Sequence, residues 1–202
     1  MRVVFLGTPQ AAVPTLEALI RSDHEVPLVV TRPDRAVGRS RRPIPPPVKR
    51  AATEAGLPVL QPTKVRAPEF RETLASQAPD ALMVVAYGRI LPRSVLEVPR
   101  LGPINVHFSL LPRYRGAAPV QWALARGESR TGVTTMLMSE GLDEGDVLLE
   151  REVAIEPGEH APALESRLAV LGAELALETL TGLAAGRIEP RPQDPERATY
   201  AP

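Results

Sequence analysis

The chain has 202 residues, enough for one sizeable domain, and its 44% hydrophobic content is that of a soluble globular protein. Twenty-four basic residues balance 24 acidic ones, which excludes a bulk polyelectrolyte. The lack of cysteine excludes disulfides and thiolate zinc sites and suits a reducing compartment. No apolar run approaches a membrane span, and the opening MRVVFLGTP is too short in apolar residues for a signal peptide. A cytoplasmic protein without a membrane partner is expected. Proline, at 23 residues, is about twice its usual share, which implies pre-ordered loops or a lower entropy cost of folding.

In chain order, RVVFL (2–6) predicts a first buried strand, and Leu16, Leu19 and Ile20 after Pro14 an amphipathic helix. EVPLVVT (25–31) and GLPVLQP (56–62) predict two more strands, with a helix over VKRAATEA (48–55). PEFRETLASQ (68–77) predicts a helix, and DALMVVAYG (80–88) a strand buried on both faces. GPINVHFS (102–109) predicts the next strand. This alternation is that of an α/β, Rossmann-like doubly wound, mostly parallel sheet. TGVTTMLM (131–138) and DVLLEREVAI (146–155), either side of SEGLDEG, predict a C-terminal antiparallel hairpin, followed by one or two helices over 162–186. PRPQDPERATYAP has no periodicity and reads as an extended exit.

Charge is patterned although the total is zero. Residues 31–50 hold seven basic residues against one acidic, a local +6, and residues 139–165 carry a local −8. The basic stretch, with Gly38 and PIPPP (43–47), fits equally a solvated loop or a long connection that contacts a phosphate backbone. Gly7 ends the first strand, but a dinucleotide fingerprint needs three glycines, and Pro9 removes an amide donor. A nicotinamide or flavin cofactor is therefore rejected.

Asn105 and His107, at i and i+2, share one face of a late strand, near the carboxyl end where open sheets bind ligands. A lone histidine there reads as a core residue satisfied by backbone. With an amide beside it on the same face, the reading moves toward chemistry. An acid–base histidine needs an orienting carboxylate, and Asp143, Glu144 and Asp146 all qualify on spacing.

NVHFSLLPRYRGAAPVQWAL together with TGVTTMLMSEGLDEGDVLL resembles the folate-dependent formyltransferase family. The family's Asn-x-His strand, SLLP turn and downstream aspartate match Asn105, His107, Ser109–Pro112 and Asp143. Within the family, GTPQAAVPTLEAL, VTRPDRAVGRSRRPIPPPVK, VVAYGRILP and TYAP resemble the members that formylate the amine of methionyl-tRNA. The resemblance implies transfer of a formyl group from 10-formyltetrahydrofolate to the amine of methionyl initiator tRNA, without a metal. It assigns Asn105 as oxyanion donor, His107 held protonated by Asp143, and Asp143 as proton acceptor through water. Folate contacts are implied at Tyr87, Gly88, Arg89, Ile90 and Leu91 and at Ser109, Leu110, Leu111 and Pro112. The basic loop becomes an RNA contact, with Arg39, Arg41, Arg42 and Lys49, also Arg35, and Arg113 and Arg115 at the acceptor end.

Phe108 departs from the small residue usual after the family's histidine, and strand alternation turns it away from His107. The expected organisation is a monomeric catalytic domain over 1–187, with 188–202 a linker toward a further C-terminal domain. Two other readings stand beside this one: a formyltransferase acting on an amino sugar nucleotide, and a non-catalytic folate- or RNA-binding module.

Overall fold

The structure, a computed structural model, describes residues 1–36 and 43–202; Arg39, Arg41 and Arg42 lie outside them. It divides into two units, Met1–Pro103 and Ile104–Pro202.

In the first unit, β1 (Val3–Gly7) is buried at every position and leads through a 3-10 turn into α1 (Val13–Arg21). The chain continues through β2 (Val29–Val30), β3 (Arg35–Ala36), β4 (Pro43–Ile44), α2 (Pro47–Glu54), β5 (Val59–Leu60), α3 (Pro68–Ser76), β6 (Ala81–Val85) and α4 (Arg93–Leu96). β1 pairs in parallel with β2 and β6, and β2 in parallel with β5. The apolar runs explain β1 and β6: Val3, Val4, Phe5 and Leu6, with Leu82 and Met83 of β6, are fully buried. Each such side chain contributes about 1.5–3 kcal/mol on burial.

The second strand is shorter than expected. Pro27 has no N–H, so only an isolated Arg2–Glu25 bridge and Val29–Val30 pair with the first strand. Gly7 serves packing: a Cβ there would lie 2.7 Å from Phe5 Cε1 and 2.9 Å from Ala12 Cβ. The basic connection, expected to lack secondary structure, is stemmed by an antiparallel ladder in which Arg35 faces Ile44 and Ala36 faces Pro43.

The second unit begins in β7 (Pro103–His107), followed by α5 (Pro119–Ala125), β8 (Arg130–Leu137), β9 (Val147–Ala154) and α6 (Ala161–Ala184). β8 pairs antiparallel with both β7 and β9, so the expected hairpin is present and the Asn105–His107 strand joins it. A bulge between Thr135 and Met136 is satisfied locally, Thr135 Oγ1 accepting from the Leu149 amide at 3.2 Å. α6 is one continuous helix. Leu164, Leu168, Ala169, Ala173, Leu175, Ala176 and Leu180 form its buried stripe.

The proline excess has a structural outlet. Among the described residues, five α-helices carry proline within their first two positions, as Pro14, Pro47, Pro68, Pro119 and Pro162, and none of the five has a side-chain cap. A fixed φ and a missing N–H, which no helical partner would have used, set these starts in place of a Ser or Asp cap.

Candidate active site

β7 ends in His107, 6% exposed, whose Nε2 lies 2.8 Å from the Tyr114 carbonyl oxygen. A carbonyl only accepts, so Nε2 carries a proton, and Nδ1 is the nitrogen left to face the site. Nδ1 faces Asp143 Oδ2 at 3.7 Å, within ion-pair range but beyond a hydrogen bond. Of the three acids that spacing left open, Asp143 meets the histidine; Glu144 Oε2 instead faces Arg115 at 3.8 Å, and Asp146 stays in the β8–β9 turn, where its carbonyl accepts the Leu137 amide.

The carboxylate is anchored. Asp143 Oδ2 accepts the Gly116 amide at 2.8 Å, and the Asp143 backbone has a φ of +52°, a region that L side chains seldom adopt. Asn105 shares the face of His107 on β7 and is partly exposed. Among the described residues, none hydrogen-bonds its side chain, so the amide is uncommitted. Phe108 is 8% exposed and its Cε1 lies 3.4 Å from where a Cβ on Gly172 would sit, on the α6 side with Val106. It packs into the core, as alternation implied.

The SLLP turn is built by Thr134 of β8. Its Oγ1 donates to the Ser109 carbonyl at 2.7 Å and accepts the Leu111 amide at 3.1 Å, while Ser109 Oγ donates to the Arg113 carbonyl at 2.6 Å. Thr134 and Ser109 are fully buried. Leu111 packs with Met136 and Val147. These residues shape the turn, and Leu110 and Pro112 keep partial exposure. Replacing Thr134 by Val leaves a buried carbonyl and a buried amide unsatisfied; about 2–4 kcal/mol of stability is expected to be lost, read from the urea midpoint.

The other implied folate segment belongs to the first unit. Ile90 is 72% exposed, Leu91 and Tyr87 are buried, Gly88 has a φ of +74°, and Arg89 Nη1 donates to the Thr63 carbonyl at 2.7 Å. Burial pushes the Tyr87 phenol above its ordinary range, against the pull of Arg89 and Arg32.

The cations expected at RNA differ in availability. Arg35 is exposed on β3. Lys49 Nζ is held by Asp34 at 2.7 Å; the hydrogen bonds from Lys49 and Gln61 keep that carboxyl below its ordinary range. Arg113 pairs with Glu128 and stacks 5.3 Å over the Tyr114 ring. Arg115 departs from the expectation: it is 4% exposed, and its Nε and Nη2 donate to Gln193 Oε1 at 3.1 and 2.8 Å. Its guanidinium is built into the wall of the Asp143 turn.

Reading the sequence did not find Gly116, Thr134 and Gln193. A glycine after RYR and a glutamine in an aperiodic tail were the only signals. A cavity of about 420 Å³ opens beside the turn, walled by Arg115, Met138, Ser139, Glu144, Asp146 and Gln193. Among the described residues, no group of three or more acidic or histidine side chains could hold a metal ion, and no helix is long and apolar enough to cross a membrane.

An uncommitted amide beside a histidine that faces a carboxylate, on an α/β scaffold, is the equipment of a group-transfer centre that passes through an oxyanion. The formyl transferase family profile matches residues 1–180, and the chain belongs to that family. It is 55% identical over its whole length to the methionyl-tRNA formyltransferase of Acidobacterium capsulatum and 54% identical to that of Solibacter usitatus. In each case it spans about 65% of the relative's length. The fold matches that of glycinamide ribonucleotide transformylase 1 from Symbiobacterium toebii, with a TM-score of 0.75 and 22% identity over 96% of this chain and 94% of the other.

Proposed function

We propose that the protein moves the formyl group of 10-formyltetrahydrofolate to the free amine of methionyl initiator tRNA. The observation that carries this reading is the convergence of Asn105, His107 and Asp143: residues 36 positions apart in the chain bring Nδ1 and a carboxylate oxygen to 3.7 Å, beside an uncommitted amide. The full-length identity to two methionyl-tRNA formyltransferases supports this choice of amine.

In the proposed reaction the amine nitrogen attacks the formyl carbon, and the carbonyl oxygen takes up the negative charge. Asn105 donates an N–H to that oxygen, and His107, protonated on both ring nitrogens beside Asp143, assists by donating Nδ1–H. The new C–N bond forms, the bond to folate N10 breaks, and the proton lost by the amine is accepted through water by Asp143 and returned to N10. The Gly116 amide holds the carboxylate, and the Tyr114 carbonyl holds Nε2–H and with it the orientation of the ring. The folate contacts at Tyr87–Leu91 and at Ser109–Pro112 belong to this proposal, as does action in the cytosol by a monomer.

The RNA part rests on the local +6 of residues 31–50. Reversing Arg39, Arg41 and Arg42 together to Glu is expected to raise KM for methionyl-tRNA at least about tenfold at moderate salt, with KM for the folate donor unchanged. An unchanged KM for the RNA, or efficient formylation of an amino sugar nucleotide in its place, overturns the choice of substrate.

A further inference from the structure

The turn that carries Asp143 has little support of its own, the Gly141 amide donating to Ser139 Oγ at 3.3 Å. Asp143 sits at φ +52°, Leu142 beside it is 57% exposed, and the chain from Ser139 to Asp146 contains neither helix nor strand. Beside the Gly116 amide on its carboxylate, the backbone of the turn is restrained from the far end of the sequence. Gln193 Nε2 donates one hydrogen to the Asp143 carbonyl at 2.9 Å and the other to the Gly145 carbonyl at 2.7 Å. Its Oε1 accepts twice, from Nε and Nη2 of Arg115. All four hydrogen-bonding positions of the amide are thus filled. Its orientation is unambiguous, because carbonyls only accept and a guanidinium only donates.

The segment bearing Gln193 is laced down on both sides. Arg191 and Val147 exchange backbone hydrogen bonds at 2.8 and 2.9 Å. Thr199 Oγ1 accepts the Tyr114 amide at 2.8 Å, the Thr199 carbonyl accepts the Arg115 amide at 2.8 Å, and the Ala201 amide donates to the Arg115 carbonyl at 2.7 Å. The same strap therefore fixes the two backbone groups that orient the reacting pair, the Tyr114 carbonyl on His107 and the Gly116 amide on Asp143. It lies beyond residue 180, where the family profile ends.

We infer that Gln193 is a positioning residue, and that the strap from Glu189 to Pro202 acts as a buckle that keeps Asp143 turned toward His107. The inference rests on the proposed role of Asp143. Arg115 sets the buckle by fixing the amide oxygen, which leaves both amide hydrogens for the turn.

The test uses Gln193→Glu. This variant keeps an acceptor for the buried Arg115 and so spares folding, but sets a carboxylate oxygen against the carbonyls of Asp143 and Gly145. Formyl transfer is expected to fall about 10²-fold in kcat, with KM for folate donor and tRNA within about twofold. In an Asp143→Asn background the same change is expected to cost less than about twofold, since a residue acting through Asp143 has nothing left to position. Amide hydrogen exchange over residues 141–146 is expected to quicken by about tenfold or more. Unchanged kcat, or an equal loss with and without Asp143, overturns the inference, and so does unaltered exchange. If the wild-type protein transfers no formyl group, the proposed function falls, and the exchange comparison alone decides for or against the buckle.

Discussion

Asn105→Ala is expected to lower kcat about 10²–10³-fold while leaving the fold intact, the rate being read in single turnover with donor saturating. The size follows from the role proposed for the amide. A donor held in place before charge develops costs no reorganisation in the transition state, so losing it removes several kcal/mol of stabilisation where charge appears. The fold survives because, among the described residues, the Asn105 side chain bonds to nothing. Its backbone pairing with Met136 does not depend on the side chain. Thermal midpoints of variant and wild type are therefore expected to agree within about 2 °C. A loss of activity that tracked a loss of stability would return Asn105 to the role of a strand residue.

Gly116→Ala is expected to damage both activity and stability. Gly116 has a φ of +118°, and a Cβ there would stand 2.6 Å from the Ala201 carbonyl oxygen. The unfavourable φ alone costs about 1–3 kcal/mol. Relieving the clash moves the strap, and shifting Gly116 withdraws the amide that anchors Asp143 at 2.8 Å. Formyl transfer is expected to fall about 10²-fold together with a lower thermal midpoint, measured on the same preparation. The contrast with Asn105→Ala is diagnostic: one change removes the proposed oxyanion donor, and the other removes the support of Asp143.

Much of the scaffold was legible because burial writes itself into apolar runs. VVFLG and ALMVV read as core strands, and the amphipathic stretch over 162–186 read as one or two helices, of which the structure makes one. Short elements were not legible. α4 and α5 are four and seven residues long, below the length at which periodicity separates helix from loop. Their tertiary setting decides them. The proline excess was read as pre-ordered loops or a lower entropy cost of folding, with Pro14 near a helix start. In the structure Pro47, Pro68 and Pro119 also stand at the first position of helices, where the missing N–H costs nothing.

The site shows the same division. Asn105 and His107 were readable as a pair because strand alternation fixes their common face. The partner of His107 was not readable from spacing, since Asp143, Glu144 and Asp146 are equivalent in a polar turn, and the family resemblance made the choice. Gln193 was hidden for a physical reason: a glutamine in an extended segment has no periodic signature, and its role arises only when residues 50 positions apart meet. Arg115 misled in the opposite sense. A basic residue in RYRG reads as surface charge, whereas the glutamine amide and the nearby Glu144 make its burial tolerable.

The central claim is that Asn105, His107 and Asp143 carry formyl transfer to methionyl-tRNA. The most direct measurement supplies donor labelled in the formyl carbon and counts label on methionyl-tRNA, with Asn105→Ala run alongside. The account predicts label on the amine with the wild-type protein and a slowed appearance, on the scale given above, with the variant. Label that reaches the tRNA equally fast in both, or that never reaches it while the formyl group passes to another amine and tetrahydrofolate is released, would contradict it.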